Sequence, residues 1–569
     1  MRSSILGLLT VALASAISTS VQSPPSGSLI ENAPRVTVDT GSLQGKLYGD
    51  DVEMFLGIPY AAAPTGDLRW KPPAPAASWH GLRNASEFGP VCPQSEAAVR
   101  GINEQAQEYS QVYPFYGTFR ADEDCLSLNI WTTNVGGKTK LPVMVWIHGG
   151  GGNSSTGALP PFGPQLARKG VVLVAPNFRI GLLGRMAHPA LTAESPHHAS
   201  GNYGVLDQIA VLQWIQRNIE QFGGDRANVT LFGWSDGASQ VCYLMISPLA
   251  HGLFHRAMLQ SGELCRDRFV PELNKRVDWD NSPPLGRHGG TAHEVGLRLA
   301  QDLNITDGPD ALAQLRSRRW QEIVEPSKKN SDLAVQDATM DGWVLPEQPV
   351  IAFRDGRQAR VPVLLGSTED ELVLLYDPPL DPSTIATYKQ WLKTERFFSH
   401  AEDLFQAYPA NTDAEVARAF MDLATDDAAQ GAYHFAQAMT AAGQKAYLYY
   451  FTYPPKGKYA GYRAHHGNDA WFIAGVFPTS RWGEPDAEDR KLVEIMGSYW
   501  TQFARMGDPN QKVFPVWPAH DPKYDVCLEF GREVKVRPVP HLDKFALFES
   551  SLQARVTEYQ KSGSASGNR

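Results

Sequence analysis

Gly233-Trp234-Ser235-Asp236-Gly237 decides the fold, because it fits the Gly-x-Ser-x-Gly turn that lifts a serine out of a strand-to-helix corner. Residues 228–232, Asn-Val-Thr-Leu-Phe, are apolar and β-branched and read as a buried strand. Residues 238–245, Ala-Ser-Gln-Val-Cys-Tyr-Leu-Met, read as a helix. Strand, sharp turn and helix are the context the motif needs. Glycines flank the serine because a Cβ at either place would collide with the neighbouring strand or helix. Alone the motif is weak, since an ordinary glycine-rich turn matches it as well.

Upstream lies a second motif, Trp146-Ile-His148-Gly149-Gly150-Gly151-Gly152, after another apolar run at 141–147. Acyl transfer needs fixed N–H donors around a developing oxyanion, and glycines let the backbone approach it closely. A His-Gly-Gly-Gly loop is the usual partner of such a serine turn. The alternative is a flexible loop or a phosphate cradle. A Walker loop would end in Gly-Lys-Ser/Thr, and Asn153-Ser154 does not. Together the two motifs point to a hydrolase.

The chain resembles the type B carboxylesterase, lipase and cholinesterase family of the α/β-hydrolase fold. The blocks that carry the resemblance are residues 55–61 (Phe-Leu-Gly-Ile-Pro-Tyr-Ala), 123–129 (Glu-Asp-Cys-Leu-Ser-Leu-Asn), 201–208 (Gly-Asn-Tyr-Gly-Val-Leu-Asp-Gln), 222–225 (Phe-Gly-Gly-Asp) and 258–262 (Met-Leu-Gln-Ser-Gly). They run from about Val36 to about Phe548. The resemblance implies a large, mostly parallel central sheet with helices on both faces, in a single domain spanning 27–558. It implies no cofactor and no metal.

A serine hydroxyl needs a base, and the base needs a carboxylate to fix its tautomer. The chain order in this fold is serine, acid, histidine. Glu369, Asp370 and Glu371 follow an apolar run at 361–365 and compete for the acid. The resemblance aligns Glu371 with it, although Leu372 stands where the family has glycine. It likewise makes His466, before Gly467, the base, and leaves His465 as a wall or surface histidine. The catalytic residues expected are therefore Ser235, Glu371 and His466, with the N–H groups of Gly150, Gly151 and Asp236 forming the oxyanion hole. The resemblance also implies internal ion pairs of Arg69 with Glu123 and Arg179 with Asp207. His148 reads as a brace for its loop.

Two residues depart from the family, which mostly has Glu before the serine and Ala after it. Trp234 replaces a charge with bulk, which argues against cationic choline esters and for neutral apolar or aromatic ones. Asp236 falls in the first turn of a helix, where a carboxylate is favourable. Turned toward the oxyanion, it would oppose catalysis. Residues 109–119 hold five aromatics and read either as an apolar rim for substrate or as a loop pinned by core packing.

The composition is globular, 43% hydrophobic and 20% charged over 569 residues. A net charge of −9 argues against nucleic-acid binding. Residues 1–16 read as a signal peptide: one basic residue, an apolar run too short to span a membrane, and Ala14-Ser15-Ala16 as cleavage site. Secretion without a membrane anchor is expected, with a flexible polar tail at 559–569. Five cysteines suit export. The resemblance pairs Cys92 with Cys125. Cys242 reads as a buried thiol, and Cys265 and Cys527 have no evident partner, so a second bridge seen in many relatives is expected to be missing. Among the glycosylation sequons, Asn84 and Asn304 are the expected acceptors, while Asn153 and Asn228 should stay bare.

The sequence thus reads as a serine ester hydrolase acting on a small-molecule ester, its partner proteins unknown. Two alternatives stand beside it. One is a pathway-dedicated esterase or acyltransferase with the same triad. The other is a non-catalytic cholinesterase-like binding module, which typically lacks the serine or the histidine.

Overall fold

Residues along the central strands alternate between two destinations, and that alternation builds the molecule. In a computed structural model, residues 33–159, 162–262, 264–275, 290–306, 308–325, 338–373, 382–393, 398–477 and 479–566 are described. The expected signal peptide at 1–16 lies outside them. The strands in chain order are β1 (Arg35–Val38), β2 (Gly41–Gln44), β3 (Lys46–Tyr48), β4 (Val52–Pro59), β5 (Leu82–Asn84), β6 (Ser127–Thr132) and β7 (Leu141–Ile147). They continue with β8 (Val172–Pro176), β9 (Gly224–Trp234), β10 (Arg256–Gln260), β11 (Val363–Thr368), β12 (Ala446–Phe451), β13 (Val526–Phe530) and β14 (Val534–Pro538).

Eleven of these form one sheet in the order β14-β13-β12-β11-β10-β9-β7-β8-β6-β4-β3. From β13 across to β8 the neighbours are parallel, and both flanks are antiparallel. Val143, Val145 and Ile147 of β7 enter the core on one face, with Leu231, Leu259 and Leu365 from neighbouring strands. Met144 and Trp146 enter the core on the other, with Phe232, Met258 and Leu364. A strand buried on both faces has no polar side to show, which is why these runs are apolar throughout.

Helices Tyr203–Asn218, Asp236–Ile246 and Asp413–Ala441 cover the first face, and Ala487–Met506 covers the second. β1, β2 and β5 form a small separate sheet. The carboxyl ends of the parallel strands share one edge, the usual place for a site in such a sheet.

Three expectations are corrected here. Cys242 is not a free buried thiol, because it is bridged to Cys265, alongside a Cys92–Cys125 bridge. Cys242 lies on the helix after β9, and the chain leaving the parallel neighbour β10 passes that helix before Cys265. Closing a loop of 23 residues stabilises by roughly 3 kcal/mol in the chain-entropy model. Cys527 alone is unbridged, and burial raises its thiol pKa to about 12, which leaves it inert at neutral pH.

The tail expected from 559 onward instead continues a helix, Leu542–Ser566. Leu552 and Val556 pack this helix against Phe269, and Tyr559 donates to Glu272, so tertiary contacts carry the helix past the expected boundary. The aromatic stretch is no free rim either. Tyr109, Tyr113, Tyr116 and Phe119 are buried, and Phe88 stacks on Tyr116 at 5.6 Å, so the rings pin the loop and only Phe115 is half-exposed.

Candidate active site

Ser235 sits where β9 ends and the helix Asp236–Ile246 begins, with φ 59° and ψ −131°. That conformation is costly for a residue with a Cβ and marks stored strain. The strain is forced by crowding. A Cβ on Gly233 would lie 2.3 Å from the Gly237 carbonyl oxygen, and one on Gly237 would lie 2.1 Å from that of Ile147. The corner can close only with glycine on both sides.

The glycine loop after β7 abuts this corner. A side chain at Gly149 would meet the Trp234 carbonyl oxygen at 2.6 Å and Ser235 Cβ at 3.0 Å. Gly150 and Gly151 follow with φ of 97° and 60°. The Gly150 carbonyl accepts from the N–H groups of Asn153 and Ser154 and from the Ser154 hydroxyl. His148 is buried and stacks on Phe178 at 4.1 Å while its Nδ1 contacts the Gly149 carbonyl. Burial lowers its pKa to about 4, so it is a neutral brace for the loop.

The acid and base candidates meet across the carboxyl edge. His466 Nδ1 lies 2.5 Å from Glu371 Oε2, and the Thr368 N–H donates to Glu371 Oε1 at 2.6 Å. Burial pushes the Glu371 carboxyl up, but the His466 bond and charge, with the Thr368 N–H, outweigh it and leave the pKa below the ordinary value. The buried Ser261 hydroxyl lies beside this carboxylate, outside strict hydrogen-bond geometry.

Asp370 turns elsewhere. Its carboxylate takes Arg418 at 2.7 Å and Arg463 at 3.5 Å, and its backbone forms an isolated parallel bridge with His465. Glu369 is half-buried and its pKa is raised, first by burial. His465 is buried between the rings of Tyr459 and Trp471.

The two departures from the family have answers in the geometry. Trp234 lays its indole beside the His466 ring, centroids 4.8 Å apart, and a Cβ at Gly467 would strike it at 2.6 Å. Asp236 sends its carboxylate away from the turn, to Arg185 Nη2 at 3.1 Å and to Gln240 Nε2 at 3.4 Å. Sequence reasoning missed Arg185, which lies 51 residues upstream with no motif to mark it. The implied ion pairs Arg69–Glu123 and Arg179–Asp207 are present, buried and bidentate. Removing one partner of such a pair costs about 3–5 kcal/mol. Asn84 and Asn304 are exposed, whereas Asn153 and Asn228 are partly covered.

Asp469 was also missed. It is fully buried, three residues after His466, accepts from Tyr449 at 2.6 Å and Gln260 at 3.4 Å, and burial lifts its pKa from 3.8 to about 6. The folded chain thus holds this proton more tightly than the unfolded one. Its contribution is fullest below pH 3.8 and is lost as pH rises through about 6, by roughly 3 kcal/mol in all. Asp469→Asn should remove that dependence, so urea unfolding from pH 4 to pH 7 should show the wild type losing ground to the variant. Parallel profiles for the two proteins would refute it.

Among the described residues no helix is long and apolar enough to cross a membrane. Residues 32–547 match the model of the carboxylesterase family. The chain is 38% identical over 502 residues to fumonisin B1 esterase of Sphingopyxis macrogoltabida, covering 85% of this chain and 84% of that one. It is 30% identical over 521 residues to carboxylesterase 5A of Canis lupus familiaris, covering 86% and 84%. Among solved structures it is similar to a thermophylic PNB esterase with a TM-score of 0.75 and 27% identity, covering 90% of this chain and 99% of that one. With the family matched along nearly the whole described fold, the chain belongs to the carboxylesterase family: it has the α/β-hydrolase fold and is a carboxylic ester hydrolase.

Proposed function

We propose a secreted serine esterase that works through an acyl-enzyme, with Ser235 as nucleophile, His466 as base and Glu371 as orienting acid. The observation that carries the reading is the 2.5 Å contact of His466 Nδ1 with Glu371 Oε2, joined across 95 residues at the same edge as the strained Ser235. His466 takes the Ser235 proton as the hydroxyl attacks the ester carbonyl. The N–H groups of Gly150, Gly151 and Asp236 receive the oxyanion. The alcohol leaves with the proton from His466, and water activated by the same imidazole releases the acid. Trp234 presents its π face beside an imidazole that becomes cationic in the transition state, an attraction of about 0.5–2 kcal/mol.

Two disulfides support an oxidising compartment, the start of the chain supports a signal peptide, and exposed Asn84 and Asn304 are the proposed glycan acceptors. Neutral apolar or aromatic esters are the proposed substrates, since Trp234 brings bulk and no charge to the turn. Identity to a relative named for fumonisin B1 adds that ester to those worth trying. A series of p-nitrophenyl esters from acetate to palmitate, set beside choline esters and fumonisin B1, tests the reading. Neutral esters should turn over faster than choline esters of equal acyl length, and a preference for choline would overturn the assignment.

A further inference from the structure

The serine turn of this chain carries a carboxylate on the residue that is to lend its N–H to the oxyanion hole. A fixed negative charge there would oppose the anion that forms on attack, and in a dry site the opposition is strong. The fold answers with a buried arginine. Arg185 ends the short helix Gly181–Arg185, is 3% exposed, and donates from Nη2 to Asp236 Oδ2 at 3.1 Å. Gln240, one turn along the helix that Asp236 opens, donates to the other oxygen, Oδ1. The first residue of that short helix, Gly181, donates its N–H to the Gly152 carbonyl at 2.7 Å.

One five-residue element therefore holds both halves of the proposed hole, the glycine loop at its start and the serine turn at its end. Arg185 Nη1 has no acceptor among the described residues, so Asp236 is the anion that balances this guanidinium. Its field reaches the loop as well: after burial, the Arg185 charge is a further influence holding the His148 imidazole neutral.

We propose that Arg185 is a positioning residue of the oxyanion hole, neutralising Asp236 and turning its carboxylate away so that only the Asp236 N–H faces the reacting carbonyl. This rests on the Ser235 reading above. The pair also clamps the glycine loop to the turn. A neutral ester in the ground state hardly senses the charge, while the tetrahedral anion senses it fully, so the effect belongs in kcat and not in KM.

The test is a cycle of Arg185→Leu, Asp236→Ala and the double variant, in the full chain, with rates normalised to active sites titrated by a fluorophosphonate. Arg185→Leu should lose at least a hundredfold in kcat with KM within threefold. A trifluoromethyl ketone, which forms an anionic adduct with the serine, should bind that variant at least fiftyfold more weakly. The double variant should recover to within tenfold of the wild type in both measurements, since no charge is left to oppose the anion. Arg185→Lys, which keeps the charge, should fall between the two. Should Arg185→Leu fail to fold, Arg185→Gln carries the same cycle.

A double variant as impaired as the single one would overturn the proposal, as would ketone affinity that Arg185→Leu leaves unchanged. A merely structural role would weaken stability without separating ketone affinity from KM. If Ser235→Ala abolishes turnover while Arg185→Leu keeps kcat within threefold, the Arg185 proposal fails and the triad reading stands. If Ser235→Ala stays active, the triad reading fails first.

Discussion

Replacing Ser235 with alanine is expected to abolish ester turnover, by about 10⁶-fold in kcat, the loss that follows when one member of a serine triad goes. That is about 8 kcal/mol in the barrier. The fold should not notice. The Ser235 side chain makes no capping bond to its helix, and alanine meets the same positive φ that serine already bears. Ser235→Gly goes further, because glycine occupies φ 59° without a Cβ penalty. It should be as inactive as the alanine variant and more stable by about 1 kcal/mol. Kinetics with a p-nitrophenyl ester, thermal melts and fluorophosphonate labelling check all three statements. Residual activity above a per cent, or labelling that survives in Ser235→Ala, would move the nucleophile elsewhere.

The parts of the site legible in the sequence are those whose sterics dictate residue type. Gly233 and Gly237 have to be glycine because backbone oxygens occupy the space of their side chains, so a motif marks the corner. The apolar runs of β7, β9 and β10 are legible because burial on both faces leaves no choice of polarity. What escaped depends on partners chosen across space. The Cys242–Cys265 bridge needs the parallel register of β9 and β10, which no local pattern encodes.

Arg185 looks like any basic residue at the end of a short helix until Asp236 comes to meet it. Asp469 reads as an ordinary first-turn acid, and only Tyr449 and Gln260, the latter held in turn by Trp500, make it a buried proton holder. Residues 109–119 were legible as an aromatic cluster. Whether such rings face substrate or core depends on whether Phe88, itself against Trp131, reaches them, and here it does. Among three adjacent carboxylates the residue pattern alone offers no choice, because the chain turns after β11 and sends neighbouring side chains to different partners. Glu371 faces His466, and Asp370 faces Arg418.

That opposition sets the second large effect. Glu371 has two oxygens and two donors: Thr368 N–H on Oε1 and His466 Nδ1 on Oε2. Glutamine has one acceptor oxygen and an NH₂ group, so Glu371→Gln must fail one of them. If the NH₂ meets the Thr368 N–H, two donors face each other in a buried site and stability falls by about 1–3 kcal/mol. If it meets His466, the ring must take the tautomer with its proton on Nε2, which can no longer accept from Ser235. Either way the imidazolium loses its counter-charge, and kcat should fall by about 10⁴.

Asp370→Asn is the control one residue away. Its arginine partners are 37% and 43% exposed and share Asp422, so water and that second acid absorb most of the loss. The cost should be about 1–2 kcal/mol of stability, below that of a fully buried pair, with kcat within threefold. Measuring kcat and the urea midpoint for both variants separates the roles. Should Asp370→Asn lose 10⁴ in kcat while Glu371→Gln stays active, the acid of the triad is Asp370, and the 2.5 Å contact at His466 is a bystander.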